Sequence, residues 1–285
     1  MRFKVVLEGG GGKEIWISSD YRRRFISFLK DVFQAADDSI FNHLYSDTKK
    51  RKPFTFSVYL GKTFRAEKEK VLTFPPYEFL FSSGDPAIST HFYNGVLKLR
   101  SKKYLLDMSS ISDSPFYINI KEISLAIEDI IESESVLFKT KQPVVLTHPR
   151  KKRNHDGYYL TPLDEEWEKI LRTRLSEDYQ RVTGNNVDTE RIRFLEVSNP
   201  LALEVLVRWR KLDRSFLDKP IKITKIKHYG GYLTGFKGIF LLCGPVELMQ
   251  FVYQYGMGIR TGQGFGMLDV LAQLKEEICR KEKKN

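Results

Sequence analysis

Strand-like and helix-like stretches run strand, helix, strand, strand, helix, strand through the first half of the chain, and the second half repeats that order. A glycine-rich segment then precedes a final short apolar run. These observations predict an α+β fold of two tandem ferredoxin-like (RRM-like) domains with a C-terminal glycine-rich loop. The match lies in element order alone, with no internal sequence repeat. The junction falls near Ile127 to Glu134, giving an N-terminal domain over 1–130 and a C-terminal domain with the loop over 131–285. A chain of 285 residues, 41% hydrophobic and 29% charged, suffices for two such cores.

Arg2 to Leu7 alternates as a strand does, and Gly9 to Gly12 makes a turn. From Arg23 the residues Phe25, Phe28, Leu29, Val32, Phe33 and Ala36 keep helical spacing, and Ile40, Phe41 and Leu44 continue on a short second helix. Phe54, Phe56, Val58 and Leu60 alternate strictly, which marks a half-buried strand. Val71 to Phe81 reads as one strand, with Pro75-Pro76 implying an edge or a bulge. Asp85-Pro86 opens a helix with proline in its first turn, and Phe116 to Ile123 closes the unit.

In the second half Val136 to Thr147 is extended and Arg150 to Asp156 is a basic loop. Asp164 to Val182 is a helix with Trp167, Ile170, Leu171, Leu175 and Tyr179 on one face, stopped by Gly184. Arg191 to Val197, Leu203 to Arg210, Ile221 to Ile226 and Thr234 to Leu242 read as strands. Gly244-Pro245 starts the last helix, and the glycine-rich loop leads into the last strand.

A net charge of +11 and a pI near 9.4 favour an anionic partner, most commonly nucleic acid. Basic residues also bunch at Arg22-Arg23-Arg24, Lys49-Lys50-Arg51-Lys52 and Arg150-Lys151-Lys152-Arg153. No apolar stretch approaches 18 residues, so no membrane span is expected and the cytoplasm is the expected compartment. Two cysteines, Cys243 and Cys279, supply neither a disulfide framework nor a zinc set.

Gly256-Met-Gly-Ile-Arg-Thr-Gly-Gln-Gly-Phe-Gly266 holds five glycines in eleven residues. Its order, helix to strand, and its spacing exclude a dinucleotide fingerprint, and no Walker-type loop occurs. A nucleotide-binding metabolic enzyme is rejected on that ground. Gly256, Gly258, Arg260, Gly262, Gln263, Gly264 and Gly266 together suit phosphate held by main-chain amides and one guanidinium.

Gly-apolar-Gly, five residues, Gly-apolar-Gly near the C-terminus resembles the signature of the CRISPR repeat-processing endoribonucleases, a branch of the RAMP proteins. Met1-Arg2-Phe3, Lys52-Pro53-Phe54-Thr55-Phe56-Ser57, Tyr159-Leu160-Thr161-Pro162, Lys225-Ile226-Lys227, Gly235-Phe236-Lys237-Gly238 and Gly244-Pro245-Val246-Glu247-Leu248 match other anchors, in the family's order. The resemblance implies a metal-independent endoribonuclease that cuts CRISPR precursor RNA within its repeats to produce guide RNAs. Attack by the 2′-hydroxyl would leave 2′,3′-cyclic phosphate and 5′-hydroxyl ends. The alternative is a non-catalytic RAMP-type subunit that holds CRISPR RNA in an effector complex. No cofactor or metal is implied, and carboxylates here show no ligand-set spacing. Partners would be repeat RNA and other effector subunits; homodimers are common among relatives.

Metal-free cutting needs a base for the 2′-hydroxyl proton, an acid for the leaving 5′-oxygen and a cation for the phosphorane charge. Lys52 aligns with the family's catalytic lysine. The family's histidine position holds Tyr45 here, and His43 stands two residues earlier; both remain candidates. The family's tyrosine on the first helix falls near Lys30. Lys49, Lys50, Arg51, Arg22, Arg23, Lys225, Lys227 and His228 are the expected RNA contacts outside the loop.

Overall fold

The computed structural model describes residues 1–47, 50–108, 116–153, 157–196 and 221–274. Lys49, His155, Cys279 and the strand expected over 203–210 lie outside them. The chain forms two compact units. The first is Met1–Glu128 with two later segments, Lys227–Tyr232 and Thr261–Gly264, and the second is the remainder.

The first unit contains β1 (Arg2–Gly9), β2 (Ile15–Ser18), α1 (Arg22–Ala36), α2 (Asp38–Tyr45), β3 (Thr55–Tyr59), β4 (Phe64–Ala66), β5 (Lys70–Thr73), β6 (Tyr77–Ser82), α3 (Pro86–Ser101), β7 (Leu105–Asp107) and β8 (Tyr117–Leu125). Its main sheet runs β3-β6-β1-β8-β7. The strand that follows α1 and α2 is thus outermost, and the first strand lies between the third and fourth, as a ferredoxin-like βαββαβ chain requires. Phe25, Phe28, Leu29, Val32 and Phe33 of α1 are fully buried with Phe79 and Phe81 of β6 in one core. Both following helices are capped by aspartate: Asp37 accepts from the amides of Ser39 and Ile40, and Asp85 from those of Ala87 and Ile88.

Residues 71–81 do not form one strand. Lys70–Thr73 pairs in a separate sheet ordered β2-β5-β4, whereas Tyr77–Ser82 lies inside the main sheet between β3 and β1. The prolines lack the N–H that a ladder needs, so Pro75-Pro76 ends one strand before the other begins.

The second unit contains β9 (Ser135–Thr140), β10 (Leu146–Thr147), β11 (Tyr159–Leu160), α4 (Trp167–Thr183), β12 (Arg193–Glu196), β13 (Lys222–His228), β14 (Gly231–Lys237), β15 (Ile239–Cys243), α5 (Val246–Tyr255) and β16 (Leu268–Leu274), the tip of the β13-β14 hairpin belonging to the first unit. Its four-stranded sheet runs β12-β15-β9-β16, the same permutation. The single strand expected over 234–242 is two, β14 and β15, broken at Gly238. β14 pairs with β13 in a two-stranded hairpin, leaving β15 for the sheet. Among the described residues no helix is long and apolar enough to cross a membrane.

Phe81 and Phe92 stack at 4.0 Å between centroids and 5° between planes, both fully buried. Truncating Phe81 to alanine is expected to cost about 3–5 kcal/mol through lost transfer energy and the cavity left behind, read as a lower urea midpoint.

Candidate functional site

Helix α2 has one apolar face, on which Leu44 is buried and Ile40, Phe41 and Tyr45 are half-buried, while Asn42 and His43 are exposed. Two residues apart on a helix means about 200° around its axis, so His43 and Tyr45 face opposite ways. Tyr45 is the inward one, packed on Phe41 at 5.3 Å and Phe33 at 6.5 Å between centroids.

Two ammonium groups converge on that ring. Lys30 Nζ, from α1, lies 5.6 Å from its centroid, and Lys52 Nζ, on the approach to β3, lies 5.5 Å away. Both are within the range at which an aromatic quadrupole attracts a cation. Lys52 Nζ also donates to the Asp47 carbonyl at 2.8 Å. Partial burial holds the Lys52 ammonium below the usual lysine pKa, and the charges of Lys50 and Lys30 depress it further, against Asp47. Burial, with Tyr229 contributing, pushes the Tyr45 phenol far up. Its hydroxyl is buried and has no hydrogen-bond partner among the described residues.

The tip of the glycine-rich segment packs beside this cluster, within the first unit. Gly262 lies so close to Lys52 that a Cβ would stand 2.7 Å from the lysine's Cβ. Gly264 has φ +82°, and a Cβ there would stand 2.8 Å from the Phe56 ring. Arg22 Nε donates to the Gly264 carbonyl at 3.3 Å. His228 Nε2 bonds Gln263 Oε1 at 2.9 Å, and its Nδ1 lies 3.7 Å from Asp20 Oδ1. Arg22 and His228, expected on RNA, are therefore buried at 6% and 1% exposure and engage the chain itself.

Five of the eleven loop amides are also engaged. Those of Gly256, Met257, Ile259, Gly264 and Gly266 donate to the carbonyls of Val252, Gly266, Val145, Thr261 and Pro143. Gly256, Gly258, Gly264 and Gly266 are buried, whereas Arg260, Gly262 and Gln263 are half-buried. Of the remaining expected contacts, Arg23, Lys50 and Lys225 are exposed, Arg51 is half-buried, and Lys227 is half-buried and paired with Glu69. Arg150, from the third basic run, lines a cavity of about 300 Å³ in the second unit with Lys169, Arg174, Glu166 and Glu177.

The structure thus groups Tyr45 and Lys52 with Lys30, and leaves His43 on the solvent side of α2. Periodicity gave no reason to single out Lys30, since it lies on the exposed side of α1; only its place in the family pattern pointed there. Tyr229, at the hairpin tip, had no signal beyond a Tyr-Gly dipeptide. Because Lys52 is depressed, folding destabilises its charged form below the folded pKa, and that penalty fades as pH rises toward the unfolded value. In NMR titration the Lys52 ε group should show a midpoint below the ordinary lysine value of about 10.4. Replacing Lys30 with glutamine should raise that midpoint.

The chain as a whole is similar to known proteins. The family model for the CRISPR associated protein Cas6 C-terminal region matches residues 126–270. A CRISPR-associated endoribonuclease Cas6 of Pyrococcus furiosus is 26% identical over 245 residues, covering 85% of this chain and 79% of that protein. Among solved structures, a Cas6-related protein from Pyrococcus furiosus superposes with a TM-score of 0.73 at 19% identity, over 96% of this chain and 99% of that one. One described as a RAMP protein binding different RNA substrates gives 0.71 at 18% identity, over 95% and 100%.

Proposed function

The chain belongs to the CRISPR-associated Cas6 family, and from that premise we propose that it binds CRISPR repeat RNA at the Lys30–Tyr45–Lys52 cluster and cuts it there without a metal. The observation that carries this reading is the convergence of two ammonium groups on one ring beside the glycine-rich turn. A phosphodiester placed over them meets the cations that its transition state needs.

In this reading the substrate's own 2′-oxygen attacks phosphorus, and the bond to the 5′-oxygen breaks. Lys52, its ammonium made more acidic by burial and by its basic neighbours, gives a proton to the leaving 5′-oxygen. Lys30 offsets the extra negative charge of the phosphorane. Tyr45 stays protonated at neutral pH, and its ring holds the two ammonium groups where the phosphodiester is placed. His43 is left as the candidate base, and it must reach the 2′-hydroxyl from the exposed face of α2.

That last feature favours a second reading, in which the chain holds repeat RNA in an effector complex without cutting it. The α2 position facing the lysines carries a phenol whose ionisation is pushed up, and such a group cannot accept a proton at neutral pH.

Incubation with repeat RNA in EDTA, followed by mapping of the ends, separates the two. Cutting is expected to give 2′,3′-cyclic phosphate and 5′-hydroxyl ends, with a loss of about 10²-fold or more in the Lys52→Ala variant. RNA that is bound but intact selects the second reading. Tyr45→His puts an imidazole against both lysines and is expected to raise single-turnover cleavage about 10²-fold; an unchanged rate removes the α2 position from the chemistry.

A further inference from the structure

The hairpin tip between β13 and β14 holds an aromatic ring in a place that favours none. We infer that Tyr229, flanked by Arg23, is a stacking site for one unpaired base of the bound RNA strand. This rests on the reading of the neighbouring cluster as an RNA site.

The argument starts from backbone. The two central residues of the turn, Tyr229 and Gly230, have φ of +50° and +75°. Such turns favour asparagine or glycine at the first position, because a side chain with a Cβ crowds the backbone there and a bulky one does so most. Burial does not offset that cost, since the Tyr229 side chain is 50% exposed. A large, half-exposed ring held at a strained position on a surface turn points to a ligand for the part that its neighbours leave uncovered.

The support beneath the ring is fixed. His228 is buried and bonded to Gln263, and its imidazole meets the Tyr229 ring edge-on at 4.6 Å. Lys227 pairs with Glu69. The Arg23 guanidinium lies over one face of the ring, 5.0 Å from its centroid, which leaves the opposite face for a base. The ring is therefore presented in one orientation before anything binds, which lowers the ordering cost of capture. His228, next to Tyr229, bonds Gln263, and Gly262, next to Gln263, packs on the Lys52 stem, so the ring and the two-lysine cluster flank the same turn.

An aromatic ring backed on one face by a guanidinium, with a pair of ammonium groups across the same turn, matches one ligand chemistry, a flat base joined to a phosphate. The bases of a duplex interior are already stacked on each other, so an open ring of this kind takes an unpaired nucleotide. A strand with one phosphate at Lys30 and Lys52 would lay an adjacent base on Tyr229.

The test uses repeat RNA carrying a 2′-deoxy nucleotide at the cut site, which blocks cleavage, and 2-aminopurine at single unpaired positions beside it. With the wild-type chain, binding is expected to quench the fluorophore at one position. Tyr229→Phe should keep the quenching. Tyr229→Gly and Tyr229→Asn should lose it and weaken binding by about tenfold to a hundredfold. Both should also fold with an equal or higher Tm, because they relieve the turn. Unchanged quenching and affinity in Tyr229→Gly overturns the inference alone. Weaker binding with a lower Tm in Tyr229→Asn marks the ring as structural and overturns it too. A wild-type chain that fails to bind repeat RNA overturns the functional reading, and the stacking site with it.

Discussion

Close packing of a short turn, Thr261–Gly264, on Lys52 and Phe56 within the first unit is the constraint on which the site depends. The turn fits because Gly262 and Gly264 have no Cβ to strike Lys52 and the Phe56 ring. Arg22 holds the Gly264 carbonyl, and His228 holds Gln263. Lys52 thus has its Cβ and Cγ pressed under the turn while its amine extends to Tyr45 and to the Asp47 carbonyl. A side chain at either glycine would push the turn off and free the lysine stem to wander. The glycines act as spacers that fix a cation.

The electrostatics follow from that placement. Burial is the main reason the Lys52 pKa is low, and repulsion from Lys50 and Lys30 adds a smaller part. The ring's negative face offsets some of that repulsion. A phosphate anion placed there would offset both the burial of the Lys52 charge and its repulsion by Lys30. The net charge of +11 extends the same logic to long range, drawing in a polyanion before any specific contact forms.

Element order was legible because strands and helices here keep clean periods, and the family pattern could be read from glycines and the Lys-Pro-Phe-Thr-Phe-Ser run. What glycine enrichment does not encode is the identity of the atom that approaches. The loop reads as an amide cradle for phosphate, yet the amides of Gly256, Gly264 and Gly266 serve chain carbonyls. The close neighbours at Gly262 and Gly264 are a lysine stem and a phenylalanine ring. Residues 71–81 read as one strand because their apolar pattern resumes across Pro75-Pro76, although the ladder cannot. The choice between His43 and Tyr45 was undecidable from spacing alone, because α2 has only eight residues and its phase is set by Ile40, Phe41 and Leu44 packing inward. Lys30 was invisible to periodicity for the complementary reason: an exposed lysine on a helix ordinarily marks the solvent face.

The most direct measurement is a crystal structure of the chain with repeat RNA made uncleavable by a 2′-deoxy nucleotide at the cut. The expected result is a backbone phosphate oxygen about 3 Å from Lys52 Nζ, at the distance of a charge-assisted hydrogen bond, with Lys30 on the same phosphate group. RNA seated elsewhere, with Lys52 still donating to the Asp47 carbonyl and no phosphate near either lysine, would contradict the placement of the site.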